Sequence, residues 1–154
     1  MEINETALKE TIIAIHDTPR QVVIEFAGAG SQAVAWLHSV GGSSRTILEA
    51  TDRYAPTSLI EAIGFEPTQF ITPDVAHALA AAAYRRAGQL AEAETPVAGI
   101  GCTATIATDQ DAGSAIALDA NSSIVLDTSG GAFGLAESAD DAASPAWAVM
   151  SFGD

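Results

Sequence analysis

The chain predicts an α/β fold, and three observations carry that expectation. Short β-branched segments such as Gln21 to Phe26 alternate with stretches of helical pattern. Its 154 residues suit one domain, long enough to bury a core without disulfides or metal. Hydrophobic residues make up 48% and charged residues 17%, the balance of a packed globule rather than a disordered chain.

In order along the chain, Asn4 can cap a first helix that runs to about His16, with Leu8, Ile12 and Ile13 on its apolar face. Asp17-Thr18-Pro19 ends it, and Gln21 to Phe26 reads as a buried strand. Gly28-Ala29-Gly30-Ser31 turns the chain, with Ser31 as cap of a helix through about Val40 whose core face is Ala33, Val34 and Leu37. A Gly41-Gly42-Ser43-Ser44 loop leads to a strand over Thr46 to Ala50. Pro56 opens a short helix that Gly64 closes. An extended stretch at Gln69 to Ile71 precedes the clearest helix, capped by Thr72, with Pro73 at its first position and an alanine-rich run to about Ala93. Its Arg85 and Arg86 read as a solvated face. Strands are expected at Thr95 to Gly101, Ser114 to Leu118 and Ser123 to Asp127. The organisation is an α/β domain over 1–128 and an acidic Gly/Ser/Ala-rich tail over 129–154, expected to be poorly ordered or loosely docked, with Trp147 to Phe152 able to dock as a strand or apolar hook.

A net charge of −14 repels phosphate backbones and anionic lipid, so neither nucleic acid nor a membrane is expected as a partner. A small phosphorylated ligand needs only a local pocket of amides and an arginine or two, and stays open. The N-terminal segment lacks a signal-peptide pattern, no apolar run reaches spanning length, and the expected compartment is the cytoplasm. With Cys102 as the sole cysteine there is no intrachain disulfide, and neither a metal site nor a cofactor is implied. The six cations are Lys9, Arg20, Arg45, Arg53, Arg85 and Arg86, and none follows Arg86.

Two constellations carry chemistry. Gly28-x-Gly30-x-x-Ala33 follows a strand and opens a helix, with Glu49 near the end of the next strand, roughly where a dinucleotide fold places its ribose acid. The same spacing is also that of a plain strand-to-helix turn. The second is Ser43-Ser44 with Tyr54 ten residues on. A serine nucleophile needs a base, and His16, His38 and His77 sit in separate helices where a surface or satisfied core role is the simpler reading. Cys102, after a strand, reads as a small buried hydrophobe.

These stretches together resemble the CinA C-terminal domain family, whose active members deamidate nicotinamide mononucleotide. The resemblance runs from Gln21 to about Thr108 and rests on the strand–Gly-rich turn–helix, Leu37 to Ser44 (LHSVGGSS), Tyr54, Ile71 to Ala80 (ITPDVAHALA) and Val97 to Gly101 (VAGIG). Gly99 to Asp109 (GIGCTATIATD) is similar to a segment of a divergent branch found beside nucleotidyltransferase-like modules. The basic stretch that follows it there is replaced by Gln110 to Ser114.

The resemblance implies a three-layer α/β/α sandwich with a mixed, mostly parallel sheet. It implies Ser44 as reactive serine and Tyr54 as active-site tyrosine. Ligand contacts are implied at Gly28, Gly30, Ser31, Ser43, Gly99, Gly101 and Thr103. The family's lysine partner falls on Leu59, and the threonine or serine before its last glycine motif falls on Ala98. Without that lysine, general-base help of roughly 10² to 10⁴-fold is missing. The expected function is therefore a CinA-like domain that binds a pyridine nucleotide, with weak or lost deamidation. The alternatives are an active deamidase using Ser44, a structural or partner-binding oligomerisation domain, and a Rossmann-like binder through Gly28, Gly30 and Ala33. A homo-oligomer is expected.

Overall fold

The computed structural model describes residues 4–28 and 30–104, with the backbone of two further strands at 114–119 and 124–125. The expectations for the tail at 129–154, for residues 105–113 of the divergent-branch segment and its surroundings, and for Trp147 to Phe152 lie outside the described residues.

Helix α1 (Glu5–His16) starts where the Asn4 side chain accepts a hydrogen bond from the Ala7 amide at 3.1 Å. Strand β1 (Gln21–Gly28) follows, then α2 (Ser31–Ser39). Gly30 rather than Ser31 holds the cap position there, and Ser31 is the first helical residue. A 3₁₀ turn (Ser43–Arg45) leads into β2 (Ile47–Asp52), two residues longer at its end than the sequence pattern suggests. Next come α3 (Pro56–Ile63), with Gly64 closing it in the left-handed conformation, and α4 (Pro73–Leu90). The Thr72 hydroxyl accepts from the Val75 amide at 3.2 Å, as the Thr-Pro start demands. Helix α4 stops three residues before Ala93, where Ala91 turns to an extended conformation and still packs against the Val23, Ala83 and Ala87 cluster. Gln69 to Ile71 is not a strand; no sheet edge receives it. The chain continues through β3 (Val97–Ala104), β4 (Ser114–Asp119) and β5 (Ile124–Val125).

The strands form one mixed sheet in the order β2-β1-β3-β4-β5. β2, β1 and β3 are parallel, while β4 and β5 add in antiparallel sense. Alternation along β1 divides the core into two layers. Ile24 and Phe26 face one side with Cys102, Ala104, Val34 and Leu37 of α2. Val23 faces the other with Ala83 and Ala87 of α4. Leu59 of α3 joins Val75 and Leu79 on that second side. The expected three-layer α/β/α arrangement is the one observed.

Helix α4 lies unusually close over β3. A Cβ at Gly99 would overlap the backbone of Ala80 and Tyr84, and one at Gly101 the backbone of Ala76 and Ala80. The alternate glycines of the strand and the alanine stripe of the helix are two halves of one flush contact. Among the described residues no helix is long and apolar enough to cross a membrane.

Candidate functional site

A doubly wound sheet puts its ligand crevice outside the carboxyl ends of its parallel strands, where neighbouring strands send their connections in opposite directions. Here that point lies between β1 and β3. After β1 the chain crosses through α2 to β2, while β3 continues away to β4. The register pairs Gly28 with Ala104 and Ala27 with Thr103, so the Gly28–Ser31 turn and the end of β3 flank the crevice.

The backbone of the turn explains its glycines. Gly28 has φ 88° and Gly30 φ 155°, values that strain a residue carrying a Cβ. A Cβ at Gly30 would also press on the Phe26 ring at 3.0 Å. Gly30 begins α2, where the amides of Ala33 and Val34 turn back to its carbonyl, leaving the first amides of the helix directed outward. Ser31 is exposed at this end. Thr103, opposite Ala27, is buried, and its hydroxyl donates to the Phe70 carbonyl at 3.0 Å, which ties the segment before α4 to the end of β3.

Tyr54 belongs to the same edge. Phe26 of β1 pairs with Asp52 of β2, and the Arg53 amide donates to the Phe26 carbonyl. Tyr54 comes next and is 65% exposed, with no hydrogen bond among the described residues. Beside it Arg53 forms a two-pronged ion pair with Glu25, which is 3% exposed. The hydrogen bond that Arg53 donates to Glu25 raises the Arg53 pKa above its ordinary value, against the opposing effect of burial.

Ser43 and Ser44 lie at the other end. Their turn precedes β2 and Tyr54 follows it, so the six residues of the strand, roughly 20 Å of extended chain, separate the two. The expectation that Tyr54 assists Ser44 is corrected on this ground: the two side chains do not share a site. At that far end His38 Nδ1 lies 3.2 Å from Ser43 Oγ, so the nearest histidine meets the first serine of the pair and not the second. His16 is a satisfied core residue, 1% exposed, with Nε2 2.9 Å from the Leu37 carbonyl and Nδ1 2.8 Å from Thr46 Oγ1. Facing a carbonyl, Nε2 carries a proton and donates to it.

The remaining expectations resolve one by one. Glu49 is not at the end of β2 but in its third position, where its carboxylate pairs with Arg86 of α4 at 3.0 Å. A ribose acid must stand at the strand's carboxyl end, so the dinucleotide reading loses its acid, while Arg85 and Arg86 stand on an exposed face as expected, where Arg86 makes this ion pair. Ala33 is exposed on α2. Leu59, at the position of the family's lysine, is 2% exposed inside the α3–α4 core. Gly99 and Gly101 serve the flush contact with α4, and Ala98 is buried. The Glu25–Arg53 pair was missed by sequence reasoning; a lone acid inside the apolar run QVVIEF was the available signal, since a buried carboxylate requires a partner.

This geometry defines a class: a doubly wound α/β domain with an amide-lined turn at the carboxyl ends of its parallel strands. Within it the chain is similar to the crystal structure of competence/damage inducible protein CihA from Agrobacterium tumefaciens. The TM-score is 0.57 over 80% of this chain and 81% of that one, at 16% sequence identity. That likeness carries the fold and agrees with the architecture expected from the CinA resemblance. No family model and no curated protein matches the chain.

Proposed function

We propose that the chain is a CinA-type binding domain that holds a pyridine mononucleotide at the carboxyl ends of β1 and β3, with deamidation weak or lost. The observation that carries this reading is the Gly28–Ser31 turn at the switch point. Two glycines with positive φ and the outward amides of α2 offer donors to a phosphate without any side-chain cation. Tyr54, exposed at the same edge, is available to a ring. The burial of Leu59 supports the loss of turnover, because the position that supplies the base in the family here faces the core.

Calorimetric titration with nicotinamide mononucleotide, run beside an ammonia-release assay, tests this. Saturable heat without ammonia is expected. Ser31→Glu places a carboxylate on the helix start, where it suits the helix and repels phosphate, and is expected to abolish the heat without lowering stability. The absence of binding to the wild type overturns the reading.

One observation favours a second reading, hydrolysis at the opposite end of the sheet: the His38–Ser43 contact is the arrangement of an activated serine. Ammonia release that disappears in Ser43→Ala and in His38→Ala would establish it.

A further inference from the structure

Glu49 stands too early in β2 to meet a ribose, but the strand does end on an acid. Asp52 is the last residue of β2 and is exposed at its carboxyl end. Its carboxylate has no hydrogen bond or ion pair among the described residues.

Contacts on both faces of the sheet fix the side that Asp52 takes. Glu49 reaches Arg86 on the α4 face, whereas Ala50 packs with Ile24 and Phe26 on the α2 face. Strand alternation therefore sends Asp52 to the α2 side. The guanidinium of Arg53 is engaged by Glu25, which shares the α4 face with Val23, so it does not neutralise Asp52. Across the ladder Asp52 stands opposite Phe26, one strand spacing of about 4.8 Å away. Gly30 lies against the same Phe26 ring, so close that a Cβ there would stand 3.0 Å from Cδ2. Phe26 is thus the shared neighbour of Asp52 and of the residue that starts α2. The spacing in the sequence gives the same assignment independently. β1, α2 and β2 form a unit in which β2 lies parallel beside β1. Asp52 follows Gly28-x-Gly30-x-x-Ala33 by about 20 residues, the interval at which such a unit sets a carboxylate against a ribose.

We infer that Asp52 selects the sugar of the bound nucleotide: its carboxylate accepts hydrogen bonds from the 2′- and 3′-hydroxyls of a ribose whose 5′-phosphate sits on the α2 amides. The inference rests on the phosphate site proposed at the Gly28–Ser31 turn, and it narrows the ligand class to nucleotides with a free vicinal diol. An ionised carboxylate only accepts, and both hydroxyls can donate to it, so a 2′-deoxyribose forfeits a charge-assisted hydrogen bond. A 2′-phosphate would set two anions face to face. Tyr54 follows two residues on at the same edge, on the side where a base attached to that ribose would lie.

The test is calorimetric titration of the full chain with nicotinamide mononucleotide and with adenosine monophosphate, each beside its 2′-deoxy counterpart. Wild type is expected to bind the ribose form roughly tenfold more tightly than the deoxyribose form, the ordinary effect of a hydrogen bond to a charged group. Asp52→Ala is expected to bind the two forms equally, with an unchanged thermal midpoint, because the side chain holds nothing in the fold. A purely electrostatic or structural role for Asp52 would change both affinities by one factor and leave their ratio alone. Equal affinity of the wild type for the two forms, or a preference that survives in Asp52→Ala, overturns the ribose assignment and leaves the phosphate site standing. Failure of the wild type to bind either ribonucleotide overturns both.

Discussion

The guanidinium of Arg53 closes on the carboxylate of Glu25 with Nε 2.7 Å from Oε2 and Nη2 3.2 Å from Oε1. Glu25 comes from β1, flanked by β2 and β3, and Arg53 from the residue after β2, so one pair ties the buried strand to the loop that presents Tyr54. Removing Arg53 leaves a buried carboxylate without a counter-charge. Arg53→Met is expected to destabilise the fold by about 3 kcal/mol or more in urea unfolding. Glu25→Leu combined with Arg53→Met should restore most of that loss, because both desolvated charges are then gone. Additive losses in the double variant would show that the pair is not the reason.

Flush packing of α4 on β3 makes Gly101 intolerant of any side chain. Gly101→Ala drives a methyl group into the backbone of Ala76 and Ala80 and is expected to cost about 3 kcal/mol or prevent folding. Gly88→Ala, where a Cβ meets nothing within 4 Å, should be neutral or slightly stabilising, since it replaces a helical glycine. Equal tolerance at the two positions, read from thermal midpoints, would contradict the close approach.

His16 fastens α1 to the body through Thr46 and the Leu37 carbonyl. His16→Ala removes both hydrogen bonds and leaves a cavity, for an expected loss of about 2–4 kcal/mol. The sign that this anchor is local is hydrogen exchange. Amides of α1 should lose protection well before those of β1 and β3, where Val23 and Ala98 remain fully buried.

Burial pushes the Cys102 thiol from its ordinary 9.0 up to about 12. The folded state therefore keeps the proton that the unfolded state loses. The contribution is fully present below pH 9 and declines as pH rises from about 9 to about 12, by at most about 1.4 kcal/mol per pH unit. Cys102→Ala lacks this dependence. The stability difference between wild type and variant should thus shift against the wild type across pH 9 to 11 in denaturant titrations. A constant difference would show that the thiol ionises alike in both states.

Local chemistry made much of the fold legible. Asn4 and Thr72-Pro73 mark helix starts because a side-chain oxygen and a fixed φ act within a single turn. Gly64 ends α3 for the same local reason. The alternation of β-branched and helical segments determined an α/β chain, and the turn glycines at 28 and 30 marked where its crevice could lie.

What no local rule contains is which distant residues meet. Ser44 and Tyr54 are ten residues apart in sequence, yet the extended strand between them carries them to opposite ends of the sheet. Glu49 and Arg86 are 37 residues apart and share an ion pair, because α4 crosses the face on which Glu49 stands. Gly99 and Gly101 looked like ligand contacts, and the helix above them shows their packing duty. Elements and their alternation follow from short-range sterics and hydrogen bonding, which each stretch of residues carries locally. Partners do not, because long-range contacts depend on strand order and on which face each side chain takes.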